Sequence, residues 1–263
     1  MSNSARSPAP PGGDNGRAAP PVPARAVVAS FLRLFAVQGS WNYETMLGNG
    51  IAFCMKPLLE GLPDERFRAA LARESRYFNA HPYLAGVAVG ALARAELDAE
   101  SPERIERFRT ALCGPLGSVG DQLVWAGWLP LCSLLALGAF ALGAGPAAVV
   151  LIFLGTYNIG HVALRVWGLR VGLQRGMRVA SALANPVFRE GPAALARISA
   201  VLAGLILPLA LQRIIGPGRG LAGGVAVFAV VGAVVLARFG ARATGWRAAL
   251  AVLAIFVLYS VAR

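Results

Sequence analysis

The chain has 263 residues, of which 56% are hydrophobic and only 14% are charged. Soluble domains carry about a quarter charged residues, so this composition predicts a protein embedded in lipid. The 25 Lys and Arg residues outnumber the 13 Asp and Glu residues, but arginines such as Arg238, Arg242 and Arg247 lie in short gaps between apolar runs. That pattern is typical of membrane-protein loops and not of a nucleic-acid-binding surface, so no nucleic-acid partner is expected.

The sequence indicates neither a cofactor nor a metal site nor an enzymatic centre. Cys54, Cys113 and Cys132 lack metal-ligand spacing and are predicted to be small buried thiols. The glycine run in residues 114–122 lacks the Lys-Ser/Thr pair of a phosphate-binding loop. No nucleophile and base can be placed together, so we expect a non-catalytic protein.

Residues 1–26 are rich in Pro, Ala, Gly and Ser, a composition that predicts a disordered N-terminal tail. A signal peptide is not expected here, because the apolar run that it needs is missing before Pro23. Residues 27–263 are predicted to form a membrane domain, with its motifs in residues 31–178 and its C-terminal hydrophobic helices in residues 197–262.

Two amphipathic helices are predicted outside the bilayer core. The first covers residues 64–78, where one face carries Phe67, Leu71 and Phe78. The second begins at Ser101, which is a plausible N-cap because Pro102 follows at the first helical position. Its apolar stripe consists of Ile105, Phe108 and Leu112.

Residues 123–164 are almost uninterruptedly apolar and long enough for two membrane spans of about twenty residues each. The Gly-Ala-Gly-Pro sequence at 143–146 predicts the break between them. Further apolar runs cover residues 198–211, 221–237 and 249–262, and the first and last are short for complete spans. The expected fold class is an all-α integral membrane protein, a multi-helix bundle with re-entrant or broken helices and amphipathic interfacial helices.

Three polar segments interrupt this apolar sequence, and ionisable groups in such positions usually face a cavity or a partner. In the first, residues 39–46, Trp41, Asn42 and Glu44 are suited to hydrogen-bond to a sugar and to stack on it. Alternatively, Trp41 belongs to an interfacial aromatic belt, and Ser40 caps a helix with Glu44 in its first turn.

The second polar segment, residues 78–83, joins the first amphipathic helix to another apolar run. Pro82 suits the first position of a helix, which leaves Asn79 or His81 to cap it. In the other interpretation, this corner contributes Asn79 and His81 to a ligand pocket.

The third polar segment, residues 114–122, combines three glycines with Pro115. Because glycine and proline break regular helices, it is predicted to be a non-helical or hairpin element that dips into the membrane. Such backbone is tolerated only where it is buried in protein or lines a cavity, which makes Asp121 and Gln122 candidate ligand-binding residues. The alternative is that Asp121 simply N-caps the next span. If the segment were helical, Gly114, Gly117, Ser118 and Asp121 would share one face and form a groove free of side chains, with a carboxylate at its end.

Downstream, three polar residues share one face of an otherwise apolar helix, namely Asn158, His161 and Arg165. This polar stripe should face the interior of the helix bundle. Close helix packing is indicated by glycines at four-residue intervals, namely Gly168, Gly172 and Gly176. A position near the lipid headgroups is indicated by the neighbouring Arg170, Arg175 and Arg178.

In this order, the segments resemble the IID subunits of mannose, fructose and sorbose phosphotransferase permeases. The family's Ser-Trp-Asn-Tyr-Glu-Arg-Met-Gln-Asn-Leu-Gly signature is matched at residues 40–44, Met46 and Gly50. Its Phe-Asn-Thr-His-Pro corner is matched at residues 78–82. Its Gly-Pro-Leu-Ala-Gly-Val-Gly-Asp run, which is followed by an aromatic end, resembles residues 114–121 with Trp125. Its Trp-Tyr-Gly-Leu-Lys-Phe-Gly sequence resembles residues 167–172.

This resemblance implies a non-enzymatic, multi-pass subunit of the bacterial inner membrane. It implies as partners the lipid bilayer, a IIC membrane subunit in a trimer of IIC–IID pairs, and a cytoplasmic IIAB protein that phosphorylates the sugar. The residues that it implies for binding a hexose or amino sugar are Trp41, Asn42, Glu44, Asn79, His81, Asp121 and Gln122. No phosphohistidine is implied, so neither His81 nor His161 is expected to relay a phosphoryl group.

The sequence also departs from the family. Leu47 and Gly48 replace the Gln-Asn pair of the first signature, and Gly117-Ser118 replaces Ala-Gly in the third. A long extramembrane segment that is expected after residues 198–211 is missing. A second hypothesis is therefore a shortened, transport-deficient IID-like protein with a regulatory or scaffolding role in phosphotransferase signalling.

Overall fold

The computed structural model describes residues 21–215 and Arg238. Every regular element in this part of the chain is a helix, which confirms the predicted all-α fold class. Most of the predicted tail, residues 1–20, and the apolar runs at 221–237 and 249–262 lie outside the described residues.

Four short helices form the N-terminal part of a first compact unit, which contains described residues 21–130 and 155–196. They are α1 (Ala24–Arg33), α2 (Gly48–Leu59), α3 (Asp64–Glu74) and α4 (Ala85–Leu97). Nearly every residue of α4 is buried, as its Ala-, Gly- and Val-rich sequence favours, so this helix forms the centre of the unit. α1 begins within the span of residues 1–26 for which a tail is predicted.

The predicted amphipathic helix at residues 64–78 is α3, but it ends at Glu74. Four residues farther on, the backbone groups of Phe78 pair with another segment instead of continuing the helix. The Phe78 N–H donates to the Thr45 carbonyl at 3.1 Å, and the Leu47 N–H donates to the Phe78 carbonyl at 2.9 Å. The first and second polar segments of the sequence are thereby held side by side.

The next helix is long and changes geometry without ending. α5 (Pro102–Gly120) continues into a π-helix at Asp121–Trp128 and then into α6 (Leu129–Ala141). The predicted cap is confirmed, since the Ser101 hydroxyl accepts a hydrogen bond from the Arg104 N–H at 3.4 Å.

The prediction that residues 114–122 form a non-helical or hairpin element is wrong, because Pro115 lies inside α5. Proline in a helix removes the donor to the carbonyl four residues earlier, and that residue, Ala111, is exposed. Asp121 does not N-cap a new span, since its φ of −61° and ψ of −44° are helical. The helix becomes irregular only after this segment, in the π-helix that begins at Asp121, a geometry that occurs frequently at functional sites.

The remaining described helices are α7 (Pro146–Arg175), α8 (Ala180–Leu183) and α9 (Pro186–Ile215). The predicted break at 143–146 is confirmed: α6 ends before it, and Gly143 adopts a φ of +100°. The prediction that residues 198–211 are short for a span is wrong, because they belong to α9, whose polar N-terminal turns continue the helix outside the apolar run.

Three helical stretches of the described chain are long and apolar enough to cross a membrane. They are Pro102–Ala141, Pro146–Arg178 and Ala180–Ile214. Parts of them form a second compact unit, described for residues 131–154 and 197–215. Within that unit, Gly138 lies against Ile206, and the Arg213 guanidinium lies 5.4 Å from the centre of the Phe140 ring.

α4 and α7 cross at glycines, and their backbones touch directly. A Cβ added to Gly90 would lie 2.6 Å from the Leu169 carbonyl oxygen, and one added to Gly172 would lie 2.5 Å from the Val87 carbonyl oxygen. Both distances are shorter than any real Cβ contact. The prediction that Gly168 and Gly172 permit close helix packing is therefore confirmed.

We predict that Gly172→Ala destabilises the protein by about 1 to 3 kcal/mol, because the new methyl group overpacks a backbone-to-backbone contact. Gly155→Ala on the same helix is the matched control, since a Cβ there would meet no atom within 4 Å. Thermal unfolding of the purified protein in detergent measures both changes. Equal melting temperatures for the two variants would contradict the crossing.

Candidate functional site

A polar groove of about 650 Å³ lies in the first unit, between the start of the second polar segment and the end of α5. We call it the Asp121 groove. It is lined by Tyr77, Asn79, Cys113, Gly114, Gly117, Ser118, Asp121 and Gln122. The structure thus brings together Asn79, Asp121 and Gln122, three of the residues proposed from the sequence.

Polar groups at this groove are available to a ligand. Asn79 and Asp121 are exposed, and their side chains make no hydrogen bond or ion pair with any residue that the structure describes. The Gln122 amide makes one long hydrogen bond, from Nε2 to the Ser118 hydroxyl at 3.4 Å. The groove therefore offers a carboxylate and two amides whose hydrogen-bonding capacity is largely unused.

The floor of the groove is glycine. A Cβ added to Gly114 or Gly117 would meet no atom within 4 Å, so neither glycine is needed for the packing of α5. Their effect is to leave bare backbone where side chains would otherwise fill the depression. The exposed ring of Tyr77 forms part of the wall.

A buried arginine holds the two sides of the groove together. Arg109, one turn before Cys113 on α5, donates to the carbonyl oxygens of Glu74 at 3.2 Å, Arg76 at 2.6 Å and Tyr77 at 2.9 Å. Its Nε also donates to Glu74 Oε2 at 3.0 Å. Since these carbonyls end α3 and lead directly to Asn79, Arg109 fixes that residue relative to α5.

Glu74, the buried partner of Arg109, is held in an unusual environment. Burial raises the pKa of the Glu74 carboxyl to about 7, although the neighbouring Arg109 acts to lower it. Its second oxygen, Oε1, has no hydrogen-bond partner among the described residues. The nearby Glu96 carboxylate is paired with Arg73 at 2.9 Å and does not compete for Arg109.

His81 lies beside the groove but is buried behind it. Its ring packs on Gly120, where an added Cβ would come within 2.1 Å of the His81 Cβ, and it contacts the Trp125 ring at a centroid distance of 4.9 Å. Nδ1 accepts a hydrogen bond from the Tyr83 N–H at 3.2 Å. Burial lowers the pKa of His81 to about 4, so the ring is neutral near pH 7.

The hydrogen bond of His81 explains where α4 begins. The prediction that Pro82 takes the first position of a helix is wrong, because residues 82–84 form a turn and α4 begins at Ala85. The turn is closed by the Leu84 N–H, which donates to the His81 carbonyl at 3.0 Å, and by the His81 ring. His81 therefore caps a turn, and the structure does not place it on the groove surface.

The first polar segment is a tight loop and not the start of a helix. Asn42 Oδ1 accepts hydrogen bonds from the Glu44 and Thr45 N–H groups, both at 2.9 Å. The interpretation in which Ser40 caps a helix is wrong, since α2 begins only at Gly48. Trp41 and Glu44 are exposed, and the structure places Trp41, Asn42 and Glu44 outside the lining of the Asp121 groove.

A second polar cluster surrounds Arg165 on α7. Arg165 is buried and donates to the carbonyls of Leu34 and Pro82, and its Nε donates to His161 Nε2 at 2.7 Å. The His161 ring stacks on Tyr83 with a centroid distance of 4.3 Å. The predicted inward stripe is confirmed for Arg165.

The other end of the stripe turns away from the bundle interior. Asn158 is exposed, and its Oδ1 lies 3.2 Å from His161 Nδ1. Tyr157 lies one turn before His161 on the same helix, and its hydroxyl lies 2.7 Å from the Tyr83 hydroxyl. The stripe thus runs from the buried Arg165 guanidinium to the surface.

Sequence reasoning missed Arg109 and Glu74, although the spacing contains a signal for both. Arg109 lies four residues after Ile105 and three before Leu112, which places it on the apolar stripe predicted for α5. Glu74 lies three residues after Leu71 on the apolar face of α3. A charged residue on such a stripe is buried, and it needs a buried partner.

Comparison with known proteins identifies relatives along most of this chain. Residues 22–212 match the family model for the PTS system mannose/fructose/sorbose family IID component. The mannose-specific EIID component of Escherichia coli K12 is 33% identical over 57% of this chain and 55% of its own length. The sorbose-specific EIID component of Klebsiella pneumoniae is 32% identical over 62% of each chain.

A fructose permease IID component of Bacillus subtilis is 29% identical over 61% of this chain and 60% of its own length. The chain therefore spans about 55% to 62% of the curated relatives that it matches. A solved membrane protein has the same fold with a TM-score of 0.62, 24% identity and 70% coverage of both chains. A complex of the mannose transporter ManYZ with microcin E492 aligns with a TM-score of 0.55, 23% identity and coverage of 72% and 71%.

We predict that His81→Asn removes that part of the free energy of unfolding which is lost as the pH falls. The folded protein holds the His81 pKa at about 4, below its ordinary value of 6.5, so part of the free energy of unfolding is present above pH 6.5 and is lost as the pH falls toward 4. Asparagine keeps an oxygen acceptor for the Tyr83 N–H but does not titrate.

Thermal unfolding of both proteins between pH of about 7 and 5 checks this prediction. Glu74 titrates in the same range with the opposite sign, since its raised pKa costs stability as the pH rises, but its effect is common to both proteins. The difference between them should therefore follow His81 alone. An unchanged slope in the variant would show that protonation of this ring is not disfavoured by folding.

Proposed function

Since this chain belongs to the PTS mannose/fructose/sorbose family of IID components, we propose that it is the IID subunit of a phosphoenolpyruvate-dependent sugar permease. It is a multi-pass membrane protein. In the proposed assembly it acts with a IIC subunit, as a trimer of such pairs, to translocate a hexose or amino sugar. A cytoplasmic IIAB protein transfers the phosphoryl group, so this subunit is not itself catalytic.

The observation that carries the proposal is the Asp121 groove. It combines a carboxylate and an amide that bond to no described residue with a floor of bare glycine backbone. A carboxylate accepts hydrogen bonds from neighbouring hydroxyls of a sugar, and the amides of Asn79 and Gln122 both donate and accept. Charge-assisted bonds of this kind are about twice as strong as neutral ones.

The position of Asp121 along its helix also supports a role in translocation. The helical stretch from Asp121 to Ala141 contains about twenty residues, the number that a helix needs to cross the hydrocarbon core of a bilayer. Asp121 therefore lies at one edge of the apolar layer. A sugar that enters or leaves the bilayer crosses this edge and exchanges water for protein hydrogen bonds there.

Arg109 and His81 are proposed to position the groove and not to contact sugar. Arg109 holds the carbonyls that precede Asn79, and the His81 ring packs against Gly120, the residue before Asp121. Trp41, Asn42 and Glu44 stay candidates for contacts with sugar or with a partner, since their loop is exposed. The Asn42 side-chain oxygen already accepts two hydrogen bonds from within this loop.

We predict that Asp121→Asn lowers sugar uptake by at least about tenfold while leaving membrane insertion intact, because the amide cannot replace a charged acceptor. Uptake is measured in vesicles that contain a IIC subunit and a IIAB protein of the same family, with phosphoenolpyruvate and with mannose, fructose, sorbose, glucosamine or N-acetylgalactosamine. Asp64→Asn, at the exposed start of α3, is the matched control. Normal uptake by the Asp121 variant would remove this residue from the site.

We also predict that Gly117→Val blocks the groove without disturbing the fold, because a Cβ there meets no other atom within 4 Å. Uptake should fall while the melting temperature stays at that of the wild type. Gly61→Val, at another open glycine, controls for the added side chain. If none of the five sugars is taken up even by the wild type with its partners, the regulatory hypothesis takes the place of transport.

A further inference from the structure

A second depression lies on α7, away from the Asp121 groove, and shares no residue with it. It is an open depression of about 1100 Å³ along that helix. We call it the α7 groove. Its apolar part runs along one side of the helix through Gly155, Ile159, Val162 and Val166, and its polar end contains Arg170, Gln174 and Arg175. Apolar residues of a membrane span normally face lipid tails, so the polar end is the informative part.

The dimensions of the α7 groove fit one leaflet of a bilayer. From Gly155 to Val166 the helix rises roughly 16 Å at 1.5 Å per residue, and half of the hydrocarbon core is about 15 Å thick. From Pro146, where the span begins, to Val166 the rise is roughly 30 Å, a full core. The arginines therefore begin at the depth of the lipid phosphates.

The aromatic residue at the boundary agrees with that depth. Trp167 follows Val166 directly and packs on Phe188 with a centroid distance of 4.7 Å. Tryptophan is enriched at the level of the lipid headgroups, where its ring is partly apolar and its N–H is wet. Trp167 thus lies where the apolar and polar parts of the α7 groove meet.

The charge at the polar end is not neutralised by the protein. Arg170, Arg175 and Arg178 have no carboxylate within ion-pair distance among the described residues. Neighbouring arginines do: Arg94 pairs with Asp98 at 2.7 Å, and Arg104 pairs with Glu100 at 2.6 Å. Arg170 and Arg175 line the α7 groove and neither has an acidic partner, so the groove is suited to an anion.

We propose that the α7 groove binds an anionic phospholipid of the bilayer. The phosphate lies against Arg170, Gln174 and Arg175, and one acyl chain lies along the apolar side from Val166 to Gly155. Arginine gives planar, paired donors to phosphate oxygens. Because cytoplasmic loops carry the excess of arginine, this lipid belongs to the cytoplasmic leaflet. The site does not depend on sugar transport.

The test uses the full chain purified in detergent, with mixed micelles of phosphatidylglycerol or of phosphatidylcholine that has the same acyl chains. Native mass spectrometry counts the retained lipid, and thermal unfolding reports its effect on stability. We expect preferential retention of phosphatidylglycerol. The double substitution Arg170→Gln with Arg175→Gln should weaken that retention by about tenfold or more.

Two controls keep the result specific. Arg68→Gln with Arg107→Gln removes the same charge from exposed positions on α3 and α5 and should leave lipid retention unchanged. Ala163→Trp keeps the arginines but obstructs the apolar side, and it should also weaken retention. Both groove variants should melt like the wild type in lipid-free detergent, which separates loss of the lipid from loss of the fold.

Three results would overturn the proposal. Equal retention of phosphatidylglycerol and phosphatidylcholine would show that charge plays no part. Displacement of the lipid by an equal concentration of soluble glycerol phosphate would reduce the feature to a general anion site without an acyl chain. Undiminished retention in the double arginine variant would show that the lipid binds elsewhere, whether on this chain or at a contact with another subunit.

Discussion

The guanidinium of Arg109 is the interaction on which the rest of the proposed site depends. Four hydrogen bonds from this one side chain bind the Glu74 carboxylate and the carbonyls of Glu74, Arg76 and Tyr77, and so position Asn79 opposite α5. The Phe78 ring, 5.2 Å from the guanidinium carbon, covers the cluster. Burial of a charge is costly unless it is fully bonded, and here backbone carbonyls supply most of the partners.

Arg165, a buried charge in a membrane-spanning helix, is stabilised in the same way. It also binds two backbone carbonyls, those of Leu34 and Pro82, and it lies 5.0 Å from the Tyr83 ring. Arg109 therefore joins α5 to the segment that follows α3, and Arg165 joins α7 to the segment that precedes α4. The second polar segment is thus held at both ends by buried cations, and the first polar segment is held to it by the backbone bonds of Phe78.

The sequence predicts those features that local chemistry decides. Ser101 with Pro102 marks the start of α5, Gly143 and Pro146 mark the turn between two spans, and Gly172 marks a helix crossing. Pro115 misleads, because a helix with an exposed carbonyl one turn earlier tolerates proline. The π-helix has no local signature, since its extra residue per turn is accommodated by tertiary packing, as in the contact of Gly127 with Leu195.

The motifs in the sequence predict that Asn79, Asp121 and Gln122 lie together at one site. They do not predict that His81 is buried behind it. His81 packs into the core because Gly120, which is distant in the chain, has no side chain in its way. Family motifs thus identify the corner, and only packing decides which of its side chains reaches the surface.

The glycine crossing of α4 and α7 has a mechanical consequence. Backbones that meet with no side chain between them interlock, so neither helix slides or rotates past the other without a large steric cost. Any motion of one of these two helices must therefore carry the pair as a single rigid body. Flexing is then left to places where the regular helical ladder is already interrupted, such as the glycine turn at Gly143.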